Sequence, residues 1–179
     1  ATWLGHSYGG RLAFELTARR PDLVERLVLL DPAIHVPPHV ALQSAESSVG
    51  DRSYASPAEA LERRYDESAL HGAPRELVAA ELAAHLVEYP DGRWRYRYSQ
   101  ASVIAAYGEM ATAPTPFAQV RVPTLLLLGD DSYLPYFLIE DHRAALGALL
   151  TEASVPGGHT VLWDALDETG RTIRAYLGA

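Results

Sequence analysis

Cysteine is missing from the chain altogether. That absence excludes disulfides, thiolate metal sites and a cysteine nucleophile, while leaving the compartment open. Positive charge is scarce: 15 basic side chains stand against 23 aspartates and glutamates, a formal charge of −8. A nucleic-acid partner requires a basic surface against its phosphates, so that class is set aside. Arg93, Arg95 and Arg97 alternate with aromatic residues, but the series reads as the solvated face of a short strand. Long apolar runs are lacking as well. The longest aliphatic run, Leu125 to Leu128, is far too short to span a bilayer, and no membrane partner is expected. No signal-peptide pattern is readable, which makes the cytoplasm the default compartment. What is present, 179 residues at 48% apolar and 21% charged, suits one folded core.

The most informative stretch is Gly5-His6-Ser7-Tyr8-Gly9-Gly10. A short apolar run precedes it, and Arg11 to Arg20 follows as a helical pattern with Leu12, Leu16 and Arg19 on one side, ended by Pro21. Strand, Gly-x-Ser-x-Gly and helix in that order are the context of a nucleophile elbow. The turn is so tight that the serine is held in strained geometry with its hydroxyl pushed out toward substrate. Side chains two residues before and after would clash, and Gly5 and Gly9 answer that demand. With these residues the chain resembles the α/β-hydrolase family, whose elbow commonly reads Gly-His-Ser-x-Gly-Gly. The resemblance implies that Ser7 is the nucleophile and that the N–H of Tyr8 is one donor of the oxyanion hole. The second donor belongs to a loop ahead of the elbow, and the resembled fold also places several strands there. The sequence therefore reads as the C-terminal part of an α/β-hydrolase fold, and the isolated chain is expected to be inactive and prone to associate.

The rest of the chain alternates strands and helices, as an α/β fold with a parallel sheet requires. Val24 to Leu30 reads as a buried strand stopped by Asp31-Pro32, and 33–50 as an irregular excursion around Pro37 and Pro38. His35 and His39 have a helical metal spacing, but the intervening prolines argue against a shared face, so no metal is expected. Ser56-Pro57 opens a helix to about Leu70, and Ala73-Pro74 opens a second carrying Leu77, Val78, Leu82 and Leu86. Trp94 to Tyr98 suits a short strand, and a third helix covers about Ser99 to Met110. Strands at Val122–Gly129 and Leu149–Val155 flank a helix at Leu138–Leu146. A closing helix carries Leu166, Ile173 and Leu177. The resemblance divides the chain into core at 1–33, a helical cap insertion at 34–116, and core again at 117–179.

A serine hydroxyl needs a base, and the base needs a carboxylate to hold its tautomer. In the resembled family the order is Ser, acid, His, which makes His159, after Gly157-Gly158, the expected base. The family often carries an acidic residue five past that histidine, where Asp164 stands. The acid is divided. The family writes Gly-x-x-Asp-x-x-x-Pro after its penultimate strand. Counting from Gly129 puts Ser132 at the acid's place, whereas counting back from Pro135 puts Asp131 there. The proline register is preferred, because the 28 residues from Asp131 to His159 accommodate a helix, a strand and two loops. Asp31, at the end of the strand after the elbow helix, is the alternative. The expected activity is acyl transfer through Ser7, Asp131 and His159, most readily on an apolar carboxylic ester, with no cofactor. A hydrolase-like scaffold that binds without catalysing is the competing class.

Overall fold

The computed structural model describes residues 1–178 except Ala69, His71, Pro135 and Phe137. Four parallel strands form the central sheet: β1 (Thr2–Ser7), β2 (Arg26–Pro32), β5 (Thr124–Gly129) and β6 (Leu150–Val155), side by side in that order. Consecutive apolar residues in β2 and β5 have a simple cause, since both faces of the sheet are covered. Leu27, Leu29 and Leu126 pack with Phe14 of α1 (Tyr8–Arg19) and Leu146 of α6 (Ile139–Leu146). Val28, Leu30, Leu125 and Leu127 face the opposite way. They meet Val161 of the short α7 (Val161–Asp164) and the partly buried Ile173 of α8 (Leu166–Leu177). The fold class expected from the sequence is the one observed.

The buried face of α1 carries Ala13, Phe14 and Thr17, while Leu12 is 54% exposed. The side that carries Leu12, Leu16 and Arg19 is therefore not the one that faces the sheet. The helix instead packs by its small and aromatic side, which lets it lie close to β2. The excursion at 33–50 contains a helix, α2 (Pro38–Ser47), with Pro38 in its first turn. Proline is tolerated there because that N–H has no helical acceptor, so the proline pair marks a start and not a loop.

The segment between β2 and β5 is mostly helical. Ser56 accepts from the Glu59 N–H at 3.1 Å and opens α3 (Pro57–Ser68), and α4 (Arg75–His85) follows. Antiparallel β3 (Leu86–Glu88) and β4 (Trp94–Tyr96) lead to α5 (Gln100–Ala111), where Ser99 accepts from the Ser102 N–H. This part has its own apolar cluster around Leu70, Val78, Leu82 and Leu86. Helices α2 and α5 pack together and back onto the sheet through Ala33, Val36 and Met110. Both ends of the segment are held by one buried cation. Arg11 donates to the carbonyl of Ile34 at 2.7 Å, the carbonyl of Thr112 at 3.1 Å and Thr112 Oγ1 at 2.9 Å. Those acceptors compensate a charge that would otherwise be costly to bury.

His142 on α6 is fully buried, edge-on to Phe117 at 4.1 Å between ring centroids, with its Nδ1 2.9 Å from the Tyr136 hydroxyl. Burial pushes it down from the ordinary 6.5 to about 4. Between those values the unfolded chain binds a proton that the fold refuses. The contribution of His142 is therefore complete above pH 6.5 and is lost as pH falls toward 4, by up to about 3 kcal/mol. Urea midpoints at pH 7 and pH 4.5 are expected to differ more for the native chain than for His142→Phe. Equal differences would contradict this assignment.

Candidate active site

The site is built where β1 runs into α1. Ser7 is the junction residue, with φ 53° and ψ −125°. A non-glycine residue at such angles carries about 1–3 kcal/mol of strain, which only an over-determined surrounding can hold. The surrounding is visible at Gly5: a Cβ there would lie 2.2 Å from the Gly9 carbonyl oxygen. The crossing is thus closed backbone to backbone. The expectation for Gly9 is corrected, because a Cβ on Gly9 meets nothing within 4 Å. The second tight position is Gly10, whose Cβ would sit 2.6 Å from that of Pro32.

His159 reaches the same point from the other end of the chain. Its Nε2 lies 2.9 Å from Ser7 Oγ, and the side chain is 8% exposed. Its loop leaves β6 and is clamped from two sides. Gly129, at the end of β5, approaches so closely that a Cβ would lie 2.2 Å from the Gly158 carbonyl oxygen. On the other side, Asp164 accepts from the Gly158 N–H at 3.0 Å and from Thr160 Oγ1 at 3.2 Å. The carboxylate five residues past the histidine therefore shapes the loop that carries it. Tyr133 adds a ring 5.1 Å from that of His159.

The two candidate acids part company. Asp31 is 1% exposed, and its Oδ1 lies 3.6 Å from His159 Nδ1, the nitrogen facing away from Ser7. Its carboxylate also accepts from Ser132 Oγ at 3.1 Å and from the Gly129 N–H at 3.3 Å. Asp131 has an exposed side chain, and its backbone N–H donates to the Gly157 carbonyl at 2.9 Å. That bond sets Asp131 on the outer turn of the loop, away from Nδ1. Asp31 owes its position to a bulge. The β1–β2 register passes from His6 opposite Leu30 to Ser7 opposite Pro32, so the ladder skips Asp31, which has φ 39°. A bulge re-aims the skipped side chain. Loop arithmetic could not see that feature, and Pro135, which anchored it, lies outside the described residues. Ser132, the place found by counting from Gly129, touches the Asp31 carboxylate.

At 3.6 Å, Nδ1 and Oδ1 are beyond hydrogen-bond range, and among the described residues Nδ1 has no other partner. Tyr8 opens α1, so its N–H has no intrahelical acceptor and is free for an anion. In front of Ser7 and His159 lies a cleft of about 600 Å³ between α2 and α5, lined by Val36, Val40, Val103, Tyr107, Met110 and Leu134 among others. Among the described residues that line it, His159 is the sole titratable side chain apart from tyrosines. Among the described residues no cluster of side chains could hold a metal ion, and no helix is long and apolar enough to cross a membrane.

Comparison with known proteins follows this geometry. Residues 1–172 match the alpha/beta hydrolase family. Lipase LipV of Mycobacterium tuberculosis is 29% identical over 177 residues, covering 98% of this chain and 67% of that protein. The sn-1-specific diacylglycerol lipase ABHD11 of Mus musculus is 26% identical over 185 residues, covering 97% of this chain and 58% of its own. The crystal structure of E-2-(acetamidomethylene)succinate hydrolase superposes with a TM-score of 0.84 over the whole chain and 67% of its own length. At 23% identity that last likeness concerns the fold alone. The chain spans about two thirds or less of the length of these relatives. With the parallel sheet and the elbow between β1 and α1, the match over nearly all its residues places the chain in the alpha/beta hydrolase family.

Proposed function

We propose that the protein is a serine hydrolase that cleaves uncharged carboxylic esters, with Ser7 as nucleophile, His159 as general base and Asp31 as the acid that orients it. The carrying observation is the strained Ser7 with its Oγ 2.9 Å from His159 Nε2. In this reading Oγ attacks the ester carbonyl while its proton passes to Nε2, and the carbonyl oxygen becomes an oxyanion beside the Tyr8 N–H. Collapse expels the alcohol, which takes the proton from His159 and leaves an acyl ester on Ser7. Water then attacks that ester with His159 again as base, and the carboxylic acid departs. Asp31 stabilises the imidazolium and holds the Nδ1–H tautomer. Residues 34–116 act as the cap, with α2 and α5 forming the acyl wall.

The lipase names of the two sequence relatives favour esters over amides. Within the ester class, the apolar cleft favours a neutral acyl chain. Each buried methylene is worth about 0.8 kcal/mol, so kcat/KM is expected to rise roughly threefold to fourfold per carbon from acetate to hexanoate p-nitrophenyl esters. An ω-carboxylate on the same chain would enter unpaired and should lower kcat/KM by about a hundredfold or more. A flat response to chain length, or a preference for the anionic ester, would contradict the cleft as acyl site.

Ser7→Ala is expected to bring ester hydrolysis to background and to abolish fluorophosphonate labelling. Retained labelling at another serine would refute the nucleophile, and an intact protein, with the oxyanion loop ahead of the elbow, that neither labels nor turns over would favour a non-catalytic scaffold.

For the acid, Asp31→Asn is expected to lower kcat by about 10³–10⁴ with the fold intact, as loss of the correct tautomer does in serine proteases. Asp131→Asn should stay within about threefold of the native rate, as a solvated charge allows. Because Ser132 lies against the Asp31 carboxylate, Asp31→Asn combined with Ser132→Asp should recover part of the lost rate. A large loss on Asp131→Asn with a small one on Asp31→Asn would reverse the assignment.

A further inference from the structure

His6, the residue just before Ser7 on β1, lies beside Ser7 and His159 and has no part in the proposed chemistry. Its Nε2 lies 2.7 Å from the backbone carbonyl oxygen of His159, and the two rings are 4.8 Å apart between centroids, tilted by 40°. A carbonyl oxygen can only accept, so Nε2 of His6 carries the proton and donates it. The bond joins positions 153 residues apart in sequence, the end of the nucleophile's strand and the loop of the base. The clamp from Gly129 and Asp164 acts on the Gly158 backbone and the Thr160 hydroxyl, and neither bonds the His159 carbonyl. His6 is the contact at that peptide.

Resting on the serine-hydrolase reading above, we propose that His6 is a positioning residue for the base: its Nε2–H holds the His159 carbonyl, and so the imidazole, in line with Ser7 Oγ. Its chemistry fits the task. Burial holds the His6 imidazole below its ordinary value, against the smaller effects of the His159 carbonyl and Asp31, which raise it. A neutral ring is what the reaction requires, since His159 becomes positive when it takes the Ser7 proton and a second cation beside it would oppose that step. Because His6 and Ser7 are consecutive in β1, their separation is set by the strand, and a bond from His6 to the base loop transmits that separation directly to the Ser7–His159 pair.

The test compares two variants that divide the imidazole's properties. His6→Gln keeps an N–H donor at about the reach of Nε2 and loses the ring, and His6→Phe keeps the ring and loses the donor. Turnover of p-nitrophenyl hexanoate and thermal melting are measured for each beside the native protein. His6→Phe is expected to lower kcat by about 10–100-fold with KM within about twofold, the size of effect that a displacement near 1 Å produces. His6→Gln is expected to recover most of kcat. Native-like turnover in His6→Phe, or equal losses in both variants, would overturn the proposal and leave His6 as a packing residue. A change in melting temperature alone, without the kcat difference between the pair, overturns it in the same way. Failure of the parent reading shows elsewhere, in native turnover that survives Ser7→Ala.

Discussion

The backbone crossing between β1 and α1 is the constraint on which the other features of this site depend. A methyl group on Gly5 would run into the backbone of Gly9, and that close approach goes with a turn at Ser7 through angles that a serine otherwise avoids. Strain of this kind persists only where neighbouring contacts over-determine it. Here the neighbours are the β2 ladder on one side and the helix face of Ala13, Phe14 and Thr17 on the other. The same turn puts the Ser7 hydroxyl at the rim of the sheet and leaves the first N–H groups of α1 open to an anion. One steric demand thus produces both the exposed hydroxyl and the donor proposed to stabilise its intermediate.

Around that point the sheet brings together three segments that are remote in sequence. The bulge after Leu30 turns Asp31 inward, the end of β5 touches the Gly158 carbonyl, and the loop after β6 delivers His159. All three leave the C-terminal ends of parallel strands, where open α/β sheets present their sites. The segment between β2 and β5 then covers the site. Arg11 ties its two stems to the elbow helix, so the apolar wall and Ser7 share one anchor.

Much of this was legible in the residues because its causes are local. A tight strand-to-helix turn demands glycine, and a strand covered on both faces demands consecutive apolar side chains. Ser7, β2, β5 and β6 could therefore be located, and so could His159 on its loop. The approach of Asp31 to His159 was not legible, because a bulge is decided by pairing between β1 and β2 and leaves no mark on loop lengths. The helix at Pro38 was hidden for a different reason: proline at a helix start and proline in a loop look the same until the following turn is seen. The inner face of α1 was not legible from the spacing of Leu12 and Leu16, because close approach to β2 favours Ala13, Phe14 and Thr17. The contact of His6 with the His159 carbonyl carries no sequence pattern at all.

The central claim is that Ser7, His159 and Asp31 form one chemical unit. A crystal structure of the protein after reaction with an uncharged alkyl phosphonate tests it most directly, since the adduct mimics the tetrahedral intermediate. The account predicts phosphorus on Ser7 Oγ, a phosphonyl oxygen on the Tyr8 N–H, and Nδ1 of His159 drawn to about 2.7–2.9 Å from Asp31. An adduct on another serine, or an Nδ1 turned to Asp131 with Asp31 left apart, would contradict it.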